Sequence, residues 1–343
     1  MKGKLLTIIV PTFNMEHYLD RCLMSLIIDD KTLLKTLEVL IVNDGSTDGS
    51  SALAHSYQDM YPDTFRVIDK ANGHYGSCVN RGLKEARGIY VKLLDADDWV
   101  DTSGFESFLR FLETTHADLV VSDFDIVKSS GEIIRRYQYH LDKNQHTMRN
   151  NTVLYDVWMH AIAYKRAIFD GLNYHQTEGI PYTDNEWFFL PMSRVKSVDN
   201  FPYVVNKYLH GREGQSVDPK VHVRDYTYEI QGWKNNHQAW ELTEKIGRGD
   251  AEDYLWNRLL RRAGNIYKLN ILGCFHGYSN RTLKDFDGYI KDHNKELYDE
   301  LEAFSMPNCK FRFIHYWRKW WHCRPLVKLM IKLENWITAF KRK

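Results

Sequence analysis

The sequence predicts an α/β chain with a mostly parallel central sheet, followed by a helical extension. Three observations predict it. Short apolar runs alternate with helix-periodic stretches from Leu5 to Leu94, which is the pattern of β-α-β units. Each apolar run ends in polar, turn-forming residues, and the fourth ends in Asp95-Ala96-Asp97-Asp98. From His222 onward the short runs give way to long amphipathic segments, which read as helices.

The totals bound the class. At 343 residues the chain has room for two domains, or for one with an appendage. With 43% hydrophobic and 27% charged residues it is globular rather than disordered. A formal net charge of +1 gives no general pull toward nucleic acid, which is not an expected partner. Aromatics at 14% allow stacking platforms for sugars or bases as well as a heavy core. The five cysteines, Cys22, Cys78, Cys274, Cys309 and Cys323, are odd in number and form no Cys-x-x-Cys. That argues against a disulfide framework or a zinc site and fits a reducing, cytoplasmic setting. The basic start is followed by too short an apolar run before Pro11 for a signal peptide. No run approaches the roughly 18 apolar residues of a membrane span.

The elements follow in order. Leu5–Val10 reads as a strand ending at Pro11-Thr12-Phe13-Asn14, and Tyr18–Ile28 as a helix. Leu37–Val42 is the second strand, ending at Asn43-Asp44-Gly45-Ser46-Thr47-Asp48-Gly49. Ser51–Tyr61 reads as helix, Phe65–Asp69 as the third strand, and Asn72–Ser77 as a loop that opens a helix over Cys78–Ala86. Tyr90–Leu94 is the strand that delivers Asp95. Right-handed crossovers set all these strand ends on one rim of the sheet, where ligands of open α/β sheets bind.

Asp44, Asp95 and Asp97 therefore share a rim although they are far apart in sequence. Carboxylates this close raise one another's pKa unless a cation lies between them. Hard divalent ions are held by one or two carboxylates with waters and substrate phosphates, so a strand ending in Asp-x-Asp-Asp points to a metal–phosphate site. An acid after the second strand commonly takes a ribose or base donor. The plainer expectations are an Asx turn at Asp44 and a helix cap at Asp98. No Gly-x-Gly-x-x-Gly follows the first strand and no Gly-x-x-x-x-Gly-Lys-Ser/Thr occurs, which disfavours a dinucleotide dehydrogenase and a P-loop enzyme.

Four motifs occur in order: Ile9-Val10-Pro11-Thr12-Phe13-Asn14, Val42-Asn43-Asp44-Gly45-Ser46-Thr47-Asp48, Asn80-Arg81-Gly82 and Leu94-Asp95-Ala96-Asp97-Asp98-Trp99. Together they resemble the inverting family 2 glycosyltransferases with a GT-A (nucleotide-diphospho-sugar transferase) fold. The resemblance implies a catalytic domain over 1–216, with a nucleotide-binding half at 1–100 and an acceptor half at 101–216, and a helical region over 217–343. It implies a nucleotide-sugar donor, with UDP-sugar favoured, and a glycan or lipid-linked sugar acceptor. By the same resemblance Pro11, Thr12, Phe13, Asn14, Glu16, Asp44, Asn72, Arg81, Asp95 and Ala96 contact the nucleotide, and Asp97 binds Mn²⁺ or Mg²⁺. Val79 departs from the family, many of whose members carry an arginine there.

The acceptor half reads as a helix over Phe105–Thr115, a strand over Asp118–Ser122 and a hairpin with strands near Phe124–Val127 and Ile133–Tyr139. Pro181-Tyr182-Thr183-Asp184-Asn185-Glu186-Trp187 resembles the family's acidic motif, which implies Asp184 as the general base. Glu186 is the next candidate, and a helix N-cap at Thr183 or Asp184 is the plainer expectation. Tyr208–Ser216, after the apolar run Tyr203–Val205, resembles a loop that closes over the diphosphate through His210 or Arg212. Tyr226–Ile246, Ala251–Leu272 and Arg281–Phe304 read as helices.

The segment Lys310–Lys343 mixes Trp317, Trp320, Trp321, Leu326, Met330, Ile331, Trp336 and Phe340 with many basic residues. That mixture suits a helix lying on the inner face of the cell membrane. Packing on the chain itself or on a second subunit of a homo-oligomer competes with it. For the whole chain two further readings compete with the transferase: a haloacid-dehalogenase-type phosphatase with Asp95 as nucleophile, and a sugar-binding protein without turnover. Asp98-Trp99, where the phosphatases usually carry Gly and Thr, disfavours the first; the intact acids disfavour the second.

Overall fold

The structure, a computed structural model, describes residues 3–141, 147–148, 151–181, 183–212, 215, 226–246, 251–272, 279–305, 311–320 and 322–340. It divides into two compact units, Met1–Glu213 with Gln238–Leu255, and Gly214–His237 with Trp256–Lys343. Each is described by itself.

The first unit is built on one sheet. Its strands are β1 (Leu6–Thr12), β2 (Leu37–Asn43), β3 (Phe65–Asp69), β4 (Tyr90–Leu93), β5 (Trp99–Val100), β6 (Leu119–Val127), β7 (Ile133–Tyr137), β8 (Ile162–Lys165) and β9 (Val198–Leu209). The order is β3-β2-β1-β4-β8-β6-β9-β5, with β7 on β6. The β3-β2-β1-β4 half is parallel. In register, Pro11 lies beside Val42 and Thr12 beside Asn43, so the first two strands end together. Beyond that half, among the described residues, only β6 and β9 pair in parallel. β8 runs antiparallel to β4 and β6, β7 to β6, and β5 to β9, so the sheet as a whole is mixed. The strands after β4 are joined largely by a hairpin and irregular segments rather than helical crossovers, and that permits antiparallel neighbours.

Every residue of β2 is buried, as expected of a strand covered on both faces. The helices α1 (Glu16–Ser25), α2 (Lys31–Leu34), α3 (Ser50–Met60), α4 (His74–Glu85) and α5 (Thr102–Leu112) supply the covers. Leu19, Cys22 and Leu23 of α1 and Phe105, Phe108 and Leu109 of α5 join Ile8, Val10, Val39 and Ile41 in one core. The helix α4 starts four residues before the predicted Cys78, at His74, whose φ is +65°. Two predicted strands are the single β6. Ser122 and Asp123 interrupt its apolar pattern, yet both are buried, and the Asp123 carboxylate accepts the Tyr139 N–H at 2.9 Å. β9 runs twelve residues, from Val198 to Leu209, where only Tyr203–Val205 was apolar enough to see. The short helix α6 (Asp184–Trp187) completes this half.

The second unit carries most of α7 (Tyr226–Ile246) and α8 (Glu252–Leu272), together with α9 (Asn280–His293), α10 (Lys295–Ala303), α11 (Phe313–Lys319) and α12 (Arg324–Phe340). The predicted single helix Arg281–Phe304 is α9 and α10. Asn294 breaks it, and its side chain caps α10 at the Leu297 N–H, 3.0 Å away. The buried Trp233 indole donates to the Leu259 carbonyl at 3.0 Å.

Candidate active site

β4 hands the chain into a tight turn in which the Asp98 N–H donates to the Asp95 carbonyl at 3.0 Å. Three carboxylates thus crowd one corner of the rim, and each has a different partner. Asp97 Oδ2 lies 2.8 Å from the Arg212 guanidinium, which also sits over the Tyr18 ring. Asp95 Oδ1 accepts the Tyr75 hydroxyl at 3.1 Å. Asp98 Oδ1 accepts the Leu209 N–H at 2.8 Å, which ties the turn to the end of β9. The predicted helix cap at Asp98 is therefore incorrect: Asp101 caps α5, accepting from the Gly104 N–H at 3.1 Å.

The second oxygen of Asp98 and Nδ1 of His160 face each other at 3.3 Å. Both atoms are buried and neither makes a hydrogen bond. Burial, then the charges of Asp97 and Asp95, push the Asp98 carboxyl well above its usual range. Burial, then the Lys92 charge, hold His160 down at about 3. Each is driven toward its neutral form, so the close approach is not an ion pair. Asp95 is raised to about 7, first by burial and then by Asp97. The ligand atoms of Asp95, Asp98 and His160 lie within 4.8 Å of one another. An orphaned carboxylate oxygen and an orphaned imidazole nitrogen beside the Asp95 carboxylate form a donor set that fits a divalent cation.

The predicted nucleotide side divides into three groups. Asp44 is at the rim, but not as an Asx turn; its neighbour Asn43 accepts the Ser46 N–H, three residues on, at 3.1 Å. The Asp44 carboxylate pairs with the Lys70 ammonium and accepts the Gly73 N–H at 3.0 Å. Asn72 donates to the Asp44 carbonyl at 3.1 Å, and Thr12 accepts the Asp44 N–H at 2.8 Å. Pro11 and the buried Thr12 end β1, Phe13 is exposed, and Ala96 is buried between the acids.

Asn14 and Glu16 lace two loops. Asn14, at φ +54°, accepts the Thr47 N–H at 2.8 Å, and Glu16 accepts the Gly49 N–H at 2.7 Å. Arg81 is not brought to the rim. It lies two turns along α4 from His74 and pairs with Glu85, which also holds Arg66 at the far end of β3.

Asp184 opens α6; after burial and the nearer acids, its charge also contributes to raising Tyr75 and Asp95, so it faces the same space. Thr183 holds the N-cap position without capping; its hydroxyl accepts from Gln176 at 3.0 Å. Glu186 is buried and accepts the Thr177 N–H at 2.7 Å, a structural use. His210 is exposed and anchored by its N–H to the Val127 carbonyl at 2.9 Å. Tyr182, Glu213, Gly214 and Ser216 of the predicted motifs lie outside the described residues.

Sequence reasoning missed Tyr75, Lys92, His160 and Tyr208. Lys92 had a signal, a lone lysine inside an apolar strand. It is fully buried, donates to the His160 carbonyl at 2.6 Å, and is lowered by burial to about 7. His160, stacked on Tyr208 with ring centroids 4.5 Å apart, had none.

Residues 7–172 match the model of Glycosyl transferase family 2. The chain is 30% identical over 216 residues to Uncharacterized glycosyltransferase EpsJ of Bacillus subtilis strain 168, covering 58% of this chain and 60% of that protein. To Minor teichoic acid biosynthesis protein GgaB of the same organism it is 36% identical over 125 residues, 36% of this chain and 14% of that protein. The matches thus span less than two thirds of both relatives. With an Uncharacterized glycosyltransferase of Haemophilus influenzae it shares 24% identity over 96% of each chain. Among solved structures, Staphylococcus aureus TarS 1–349 in complex with UDP-GlcNAc superposes with a TM-score of 0.56 at 17% identity, covering 92% of this chain and 91% of that one. That likeness shows the GT-A fold.

Proposed function

We propose that this chain, which belongs through residues 7–172 to the family 2 glycosyltransferases, moves a sugar from a nucleotide-diphosphate donor to an acceptor hydroxyl with inversion. UDP-sugar is the favoured donor, and surface polysaccharide or glycan biosynthesis is the setting; TarS, bound to UDP-GlcNAc, and GgaB, of minor teichoic acid biosynthesis, support both. The observation that carries the reading is the convergence on one rim of Asp44, Asp95, Asp97 and Asp98, with Arg212 closing onto Asp97.

In this reading the Asp44 corner, with Asn72 and Thr12, takes the nucleoside. Asp97, Asp95, Asp98 and His160 would hold Mn²⁺ or Mg²⁺. When bound, the ion neutralises charge developing on the diphosphate. Arg212 leaves Asp97 for the phosphates, and His210 reaches them from the same loop. Asp184 removes the proton from the acceptor hydroxyl, a role worth about 10²–10⁴-fold in rate. Attack from the face opposite the leaving diphosphate inverts the anomeric carbon. A glycan or lipid-linked sugar is the acceptor class.

The test is release of nucleoside diphosphate from a panel of sugar nucleotides, with Mn²⁺ or with chelator. Metal-dependent consumption of one sugar nucleotide is expected. No consumption of any of them, with hydrolysis of simple phosphate esters instead, would move the protein to the phosphatase reading.

A further inference from the structure

The last helix, α12, has two apolar faces among its described side chains, one buried and one half-exposed. Val327 and Ile331 are buried, at 0% and 1% exposure. Leu326, Leu329 and Leu333 are 41%, 53% and 45% exposed. At 3.6 residues per turn these three leucines fall in one sector about 60° wide, well away from the buried pair. Lys332 is exposed and borders the leucine sector about 60° beyond Leu329, while the half-buried Lys328 lies about 100° beyond it, between Lys332 and the buried Ile331. In the sequence Trp336 and Phe340 continue the same three-and-four spacing.

The segment before α12 is committed to the fold. Trp317 of α11 is fully buried and donates to the Asn280 side chain at 3.3 Å, and Arg318 pairs with Asp287 at 2.8 Å. Those two members of the aromatic and basic tail are therefore structural. Lys310, Trp321 and Lys341 to Lys343 lie outside the described residues.

We propose that the Leu326–Leu329–Leu333 face, with Lys332 at its border and Lys328 beyond it, docks on an anionic lipid surface. Charge decides between this and a second copy of the chain. Residues 324–343 carry six basic side chains, Arg324, Lys328, Lys332, Lys341, Arg342 and Lys343, against one acid, Glu334, in a chain whose total is only +1. Two such helices packed face to face would bring like charges together, whereas an anionic leaflet attracts each of them. The described helices include none long and apolar enough to cross a membrane, so α12 lies in the interface with its leucines in the acyl boundary and the lysine stems reaching back to the headgroups. This attachment is independent of the transfer reaction.

Flotation of the full-length protein with phosphatidylcholine vesicles, with and without phosphatidylglycerol, tests it. Wild type should float with the anionic vesicles at low salt and be released at high salt. L329E should lose flotation, and the double variant K328E/K332E should lower the partition coefficient about tenfold to a hundredfold. All these positions are at or near the surface, and circular dichroism checks the fold of both variants. Three results would overturn the proposal: wild type remaining at the bottom of the gradient at low salt, equal binding to uncharged vesicles, or a wild-type dimer in sedimentation velocity that L329E makes monomeric.

Discussion

Asp184 and Asp97 separate proton removal from donor binding. Asp184→Asn keeps the shape of the side chain but cannot take a proton, so transfer should fall about 10²–10⁴-fold while donor affinity stays near wild type. Single-turnover kinetics beside nucleotide titration would check it, and transfer within a few-fold of wild type would move the base elsewhere. Asp97→Asn should instead abolish the Mn²⁺-dependent part of nucleotide binding in calorimetry, with little change in stability, because it removes one of three crowded carboxylates. Asp95 gives a pH test. Its folded value of about 7 lies above the roughly 3.9 of an unfolded chain, so the folded protein holds an extra proton between them. Stability contributed there falls as pH rises through that window. In urea unfolding with chelator, Asp95→Asn should gain on wild type from pH 5 to pH 7.5; a constant difference would show that Asp95 titrates normally. These acids were legible because each sits beside its strand end or helix start in sequence. His160 was not, because it lies in an irregular segment with no motif, and only β8 beside β4 brings it to Asp98.

At the scale of elements, legibility followed covering. β1, β2 and β4 read correctly because strands buried on both faces are continuous apolar runs, and the partly buried edge strand β3 because its Phe65, Val67 and Ile68 still mark it. β6 and β9 did not, because their polar residues find partners inside the protein: Asp125 binds Arg136 through two bonds of 2.7 and 3.0 Å. Such compensation is invisible to hydropathy. Close approach of elements gives a further prediction. A Cβ at Gly88 would lie 2.4 Å from the Thr7 N–H nitrogen and 2.6 Å from the Tyr90 carbonyl, both backbone atoms of paired strands. Gly88→Ala should destabilise by at least the roughly 1–3 kcal/mol of an overpacked core site. Gly288, inside α9, meets nothing within 4 Å. Gly288→Ala should stabilise by about 0.5–1 kcal/mol through helix propensity. Urea midpoints of the two variants should move in opposite directions, and a loss at Gly288 would mean the helix face is occupied.

For the molecule as a whole, the question is how much of its stability waits on ligands. At the rim the Asp98 carboxyl is pushed well above its usual range by burial and by its neighbouring acids, and Asp98 Oδ2 and His160 Nδ1 lie buried without hydrogen-bond partners, a cost that a cation and a nucleotide diphosphate would remove. A ligand that binds only the folded chain raises stability by RT ln(1 + [L]/Kd), about 2.7 kcal/mol at a hundredfold excess over Kd. UDP with Mn²⁺ should therefore raise the unfolding temperature more than the sum of the shifts from either alone, because each carries charge that the other compensates. Asp44→Asn, which weakens the nucleoside corner and leaves the acids intact, should keep the Mn²⁺ shift and lose most of the UDP increment. Asp97→Asn should lose the synergy while keeping what UDP does alone. Additive shifts in the wild type, measured by differential scanning fluorimetry across a matrix of UDP and Mn²⁺ concentrations, would mean that metal and nucleotide bind apart, and the rim would then not be a single donor site.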